Sequence, residues 1–306
     1  MHSHLLTGVL CLLGFSILSA ARDIALEGHF KVDNPYDYLF IVFGLAAIFY
    51  AAVNFFKSTS GAPRKAAKYT ENIIWLNLVT AGNWVGLFLA LKYLSPPSVA
   101  ALYAGTIPAA TLIVNRLLRS ESALTKADWI STILLLACAT AWAFVNISSL
   151  QGSQAATGFA YVVLSSFTIA ATTVFSKRLA DSQIPTSKIM AHRFYILVGI
   201  SYFMSSPSVE LLDVAVRNYQ LLLIVAAAGT ILSLWLLQKG IEKCEPVLTE
   251  VVIATSPVVS LALYTLFVGG ETIKIDTIVM SVSVVSIAVF HTLFQYKNES
   301  HREITQ

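Results

Sequence analysis

Charge is scarce in this chain. Lys, Arg, Asp and Glu make up 12% of its 306 residues, against roughly a quarter in an ordinary soluble domain. A water-facing shell around a conventional core is therefore excluded for most of its length. Cysteine is scarcer still. Cys11, Cys138 and Cys244 lie far apart in or near apolar stretches, which excludes a disulfide framework and offers no metal-ligand spacing. The sequence contains no phosphate-binding loop, no HExxH and no G-x-S-x-G, so no ATPase, zinc-hydrolase or serine-hydrolase signature is present. A net charge of +3 is too mild for a nucleic-acid partner. No cofactor or metal is expected.

What fills the chain instead is apolar sequence, 56% of it, arranged as long runs with short polar gaps. About 18 or more apolar residues cross ~30 Å of hydrocarbon as a helix. Ten such runs occur, at 5–21, 36–56, 71–91, 97–117, 129–148, 157–176, 188–206, 219–238, 246–268 and 275–296. The expected fold class is an all-α membrane protein of ten transmembrane helices. Ser19-Ala20-Ala21 resembles a signal-peptidase site, but no Lys or Arg precedes the first run. That run also completes the repeat described next, so it is retained as a span.

Lysine and arginine placement gives the orientation. With the N-terminus inside, the inner loops and the tail carry fourteen of them. The outer loops carry five: Arg22, Lys31, Lys92, Arg217 and Lys274. Arg193 falls within a span. Both termini are therefore expected in the cytoplasm, with the cell (inner) membrane as the location. Tyr36, Tyr38, Trp129, Tyr219 and Tyr296 stand near span ends, where amphipathic rings favour the headgroup layer.

One pattern occurs twice. Leu91-Lys92-Tyr93-Leu94-Ser95-Pro96-Pro97 leads to Thr106-Ile107-Pro108 and ends at Arg119-Ser120-Glu121. Gln238-Lys239-Gly240-Ile241 leads through Pro246 to Thr255-Ser256-Pro257 and ends at Gly269-Gly270-Glu271. Pro97 to Pro108 and Pro246 to Pro257 are both eleven residues. An odd number of spans per half puts Glu121 inside and Glu271 outside, so the expected halves are inverted five-helix repeats. Their bounds are 1–150 and 151–300, with a tail at 301–306. Inverted repeats recur in transporters, because two similar halves that exchange conformation expose one central site to each side in turn.

These motifs, with Phe175-Ser176-Lys177-Arg178-Leu179 and His192-Arg193-Phe194, resemble the drug/metabolite transporter superfamily in its ten-helix form with two EamA-type repeats. The first repeat departs from the pattern. Span 1 has no tryptophan, and Phe40 stands about where an arginine is expected. The resemblance implies export or exchange of metabolites such as amino acids or, in other branches, nucleotide sugars.

Candidate substrate contacts follow from polar groups placed in apolar spans. Thr106 and Pro108 in the fourth span, and Thr255, Ser256 and Pro257 in the ninth, mark matching mid-membrane interruptions, since proline frees a helical carbonyl. Tyr103 lies one turn before Thr106. Asn77, Thr80 and Trp84 share a face of the third span, with Asn83 at its edge. Gly82 and Gly86 on the adjoining face read as close helix packing. Ser165, Thr168 and Thr172 belong to a hydroxyl stripe, Tyr161 to Ser176, that suits either a ligand or small-residue packing. The ionisable residues Glu250, His291, Arg193 and His192 read either as a cytoplasmic gate that couples protons or as side chains reaching the headgroups. The expected partners are a small-molecule substrate and the lipid bilayer, with a homodimer left open.

Two function classes remain. The leading one is a secondary transporter of an amino acid or similar solute, with a nucleotide-sugar or phosphorylated-metabolite exchanger as its variant. The other is a non-transporting scaffold or membrane-embedded enzyme.

Overall fold

The computed structural model describes residues 2–57, 66–118, 126–147 and 152–268, with 275, 278–279, 281–287 and 289–290 beyond them. The described chain is helical. The helices are α1 His2–Phe30, α2 Pro35–Lys57, α3 Ala66–Tyr93, α4 Pro96–Leu118, α5 Lys126–Ile147, α6 Gly152–Asp181, α7 Thr186–Ala191, α8 Tyr195–Met204, α9 Ser208–Arg217, α10 Tyr219–Ile224, α11 Ser233–Lys243, α12 Pro246–Ile253 and α13 Ser256–Phe267. A π-helical segment, Val225–Leu232, joins α10 to α11.

Six helices are long and apolar enough to cross a bilayer: Leu5–Phe30, Pro35–Lys57, Tyr69–Tyr93, Pro96–Leu118, Ala156–Asp181 and Tyr219–Lys243. Thr186–Met204, taken with Ser208–Arg217, adds a seventh, and Trp129–Ala141 and Val251–Phe267 are shorter apolar helices. Large apolar side chains such as Ile48, Phe55, Leu117, Phe203 and Leu266 are exposed all round the bundle. In water such a surface is an aggregation hazard; against lipid tails it is the proper solvent face. The chain is an integral, multi-pass membrane protein.

Three expected spans differ from smooth rods. The first runs past residue 21 to Phe30. The seventh breaks at 192–194 between α7 and α8, and α9 then turns away by 111°. Val209, Leu212 and Val216 are exposed on α9 at i, i+3 and i+7, one apolar stripe suited to the membrane interface. The ninth breaks between Ile253 and Ser256, with Pro257 in the first turn of α13. There the missing N–H would have no helical partner in any case. By contrast α4 passes through Pro108 as one helix. The expected pair of mid-span interruptions is therefore a break in one copy and a continuous helix in the other. The tenth expected span is described only in part, and Glu121, Glu271 and Tyr296 lie outside the described residues.

Tight crossings hold the bundle. A Cβ on Gly82 would meet Thr168 Cγ2 at 2.9 Å, and one on Gly86 would meet Ser165 Cβ at 3.0 Å. The hydroxyl stripe of α6 therefore packs on the glycine face of α3. Trp129 and Tyr219 are exposed as interface anchors should be. Tyr38 is not an anchor: it is wholly buried. Its hydroxyl donates to Asp33 at 2.6 Å and accepts from Asn218 Nδ2 at 3.0 Å.

Candidate functional site

The stripe Leu12, Ser16, Ser19, Arg22, Leu26 and Phe30 runs down α1 at spacings of three and four, and all six are buried. Arg22 thus stands inside the bundle, 3% exposed, and not in an outer loop. The sequence reading ended span 1 at residue 21 because adjacent opposite charges look like a flank. Here they neutralise each other: Arg22 Nη2 donates to Asp23 at 2.7 Å and Nε does so at 2.8 Å. Arg22 Nη1 donates to the Gly229 carbonyl at 3.2 Å, and the guanidinium lies 4.5 Å from the centre of the Trp84 ring, a cation–π distance.

Gly229 belongs to the π segment, where i→i+5 bonding replaces the α register. A Cβ at Gly229 would meet Arg22 Cβ at 2.8 Å, so glycine is what lets α1 approach. Gly229→Ala should cost about 1–3 kcal/mol by overpacking, read as a lower melting temperature in detergent. An unchanged melting temperature would show that α1 can move aside freely.

The second guanidinium is Arg193, 1% exposed. It does not reach for the headgroups. The helix break at 192–194 turns it inward, where Nε donates to Thr80 Oγ1 at 3.2 Å and Nη1 to Gln238 Oε1 at 3.4 Å. Asn77 holds the break open. Its side-chain oxygen accepts from the backbone N–H groups of Tyr195 at 2.9 Å and Ile196 at 3.4 Å. Its amide donates to the carbonyls of His192 and, at 3.0 Å, Ile73. These are the orphan groups that any helix end leaves, capped here from a neighbouring helix. His192 is partly exposed and pairs through Nδ1 with the Tyr195 hydroxyl at 2.9 Å.

Arg22 and Arg193 both line a cavity of about 70 Å³, room for several waters. Ser16, Ser19, Arg22 and Asp23 form its α1 wall, Asn83 and Trp84 its α3 wall, Tyr103 and Ile107 its α4 wall, and Ser256 and Ser260 its α13 wall, with Arg193 and Leu237 at one end. Tyr103 donates to Ser165 Oγ, which lies 2.7 Å from the Asn83 carbonyl and 2.9 Å from its side-chain oxygen. Ser19 Oγ, Trp84 Nε1 and Ser260 Oγ are buried with no hydrogen-bond partner among the described residues. Buried polar groups in native proteins are nearly always paired, so these three are hydrogen-bonding groups that the cavity wall leaves available to a polar guest.

Of the residues chosen from sequence, the structure brings Trp84, Tyr103, Ser256 and Arg193 to this cavity. The others stand behind its wall or away from it. Thr80 supports Arg193, and Asn77 caps the break. Thr106 Oγ1 lies 2.7 Å from Ser166 Oγ and donates to Leu102. Thr168 and Thr255 donate to their own helices. Ser165 joins Tyr103 to Asn83, Thr172 is buried, and Pro108 and Pro257 pack inside the bundle. The Glu250 side chain and His291 lie outside the described residues.

A second, larger space of about 1260 Å³ opens at one end of the bundle, lined by Tyr50, Lys57, Asp181, Thr186, Trp235, Lys239 and Glu242 among others. Tyr50 lines this space and not the inner cavity. Its ring stacks on Phe194, next to Arg193, and its hydroxyl donates to the Ile231 carbonyl. Elsewhere the turn between α1 and α2 and the start of α2 are tied by hydrogen bonds to the end of α8, the α8–α9 turn and the end of α9. Asp33 receives Arg217 at 3.0 Å, Asp37 receives the Ser206 N–H at 2.8 Å and its hydroxyl at 2.9 Å, and Asn34 donates to Met204 at 3.0 Å.

No curated protein matches this chain by sequence. A solved crystal structure, only 15% identical, superposes with a TM-score of 0.69 over 96% of this chain and 98% of that one, so the fold is one already seen in nature. Residues 156–292 match the model of the EamA-like transporter family. That stretch includes the Phe175–Leu179 and His192–Phe194 motifs and the proline-broken α12–α13 pair. Its members are membrane transporters and not enzymes. By that match residues 156–292 of this chain are similar to the EamA-like transporter family.

Proposed function

We propose that the protein is a secondary transporter of a small organic metabolite, of amino-acid size, that works by alternating access. In this reading ten spans form two inverted five-helix repeats in the cell membrane, with both termini in the cytoplasm. Transport proceeds by export or exchange. The observation that carries it is the contrast between two parts of the bundle. Polar bonds tie α1–α2 to α8–α9 at one place, while a wide vestibule elsewhere reaches Tyr50, whose ring stacks on Phe194 next to Arg193 of the cavity wall. A ligand site near the middle of the bundle, shut on one side and approached from the other, is what alternating access requires in one of its states.

The test uses Ser256, on the cavity wall. With Cys11, Cys138 and Cys244 replaced by Ala, Ser256→Cys in sealed liposomes should react with a membrane-impermeant thiol reagent added from either side, in separate experiments. Labelling from one side only, or from neither, would favour a fixed scaffold over a transporter.

A further inference from the structure

The inner cavity carries more positive than negative charge. Arg22 and Asp23 form a pair at 2.7 Å and cancel. Arg193 is as deeply buried, yet among the described residues no carboxylate pairs with it; its partners are the neutral groups of Thr80, Gln238 and Met190. An isolated charge away from water is costly unless something of opposite sign comes to it. The unpartnered atoms of the wall point the same way. Trp84 Nε1 can only donate, and Ser19 and Ser260 offer hydroxyls. Gln238 Nε2, beside Arg193, is a further donor without a partner among the described residues. A cation with no carboxylate partner among the described residues, surrounded by idle donors, calls for a compact ligand with one negative charge and several acceptor atoms.

We infer that the cavity takes a small carboxylate-bearing solute, with the carboxylate received by Arg193 and its remaining acceptors by Trp84, Ser19 and Ser260. The inference rests on the transport reading for the site's purpose and goes beyond it in naming the substrate's charge. A carboxylate brings the single charge that Arg193 needs. A phosphate ester near neutral pH brings about two, leaving the cavity negative. A nucleotide sugar brings as much charge and far more bulk than about 70 Å³ admits without rearrangement. A cationic amine would stand beside an unneutralised guanidinium. Arg193 presents a planar fork suited to two carboxylate oxygens.

The test is a melting-temperature screen of the purified full-length protein. The probes are carboxylates of two to six carbons, each paired with its primary amide, and glycerol phosphate and ethanolamine serve as charge controls. At least one carboxylate should stabilise the protein while its amide and both controls do not. Arg193→Gln should weaken that binding at least tenfold, and Arg193→Lys should restore part of it. Should Arg193→Gln fail to fold, Trp84→Phe keeps a smaller aromatic ring and removes the N–H, and is expected to weaken carboxylate binding several-fold. Stabilisation by the amide, by ethanolamine or by glycerol phosphate equal to that by the acid would overturn the inference, and so would indifference to every carboxylate. The same probes in liposomes separate the two readings. A carboxylate that binds but does not move leaves the charge assignment standing and removes transport. Flux of an uncharged or cationic solute, without any carboxylate, does the reverse.

Discussion

Asp23→Asn should strip about 3–5 kcal/mol from the folded state, because it leaves the Arg22 guanidinium buried without its counter-ion. Arg22→Gln should cost a similar amount by stranding Asp23. The double variant, Arg22→Gln with Asp23→Asn, should recover most of the loss, since two neutral amides in a desolvated site are cheaper than one bare charge. The measure is the melting temperature of the three variants in detergent, read as a double-mutant cycle. Residues one apart on a helix do not share a face, yet here Arg22 bends back to Asp23 with two bonds. A third N–H of its five donors goes to Gly229 and the flat face to Trp84. Every strong interaction of the guanidinium is thus used internally. If the single losses simply added in the double variant, the pair would not be coupled and this account of the α1 wall would be wrong.

Asn77→Leu is the second large effect. The leucine fills similar space but abandons the N–H groups of Tyr195 and Ile196 and the carbonyl of His192. Each orphaned group in a dry site costs about 1–3 kcal/mol, so a total on the order of 3 kcal/mol or more is expected. Measured polar contacts between membrane helices average less, about 0.6 kcal/mol, because groups released in lipid find other partners. Here the available escape is for residues 192–194 to close into a continuous helix, which would turn Arg193 out of the cavity. Asn77→Leu should therefore lose both stability and solute flux. Asn77→Asp keeps the acceptor for both N–H groups but exchanges the amide donor for a buried carboxylate, which has its own desolvation cost, and should lie between the leucine variant and the parent. Equal behaviour of the leucine and aspartate variants in melting temperature and flux would show that the cap does not hold the break.

These two residues also show what could be read from the chain beforehand. The rhythm of apolar runs was plain, since bilayer thickness imposes a length on each. Close packing at Gly82 and Gly86 was legible because glycines four apart in a span favour close approach; that their partner is the hydroxyl stripe of α6 was not. The break before Pro257 was legible because proline has a local cause and a local effect. The break at 192–194 was not: its cause, Asn77, sits more than a hundred residues earlier, and His192-Arg193-Phe194 contains no helix breaker. Arg22 was misplaced because hydropathy treats a charge as an exit from the membrane, whereas a paired charge can remain. The periodicity from Leu12 to Phe30 continued through it and was the available signal. The site is correspondingly mixed. Trp84, Tyr103, Ser256 and Arg193 stand in the cavity wall. Asn77, Thr80, Thr106 and Ser165, chosen on the same polar-in-apolar grounds, hold those residues in place.

The π-helical turn between Val225 and Leu232 sets an angular phase. Gly229 and Gln238 are nine residues apart, and at about 100° per residue an ordinary α-helix would place them on roughly opposite sides. A ladder that bonds one residue further along winds more slowly, so each of its residues advances the chain by less and the two directions draw together. One helix can then offer a carbonyl to Arg22 and an amide to Arg193. A single-residue deletion that restored plain α winding would remove just one side chain from the helix and swing one of those two contacts out toward the lipid.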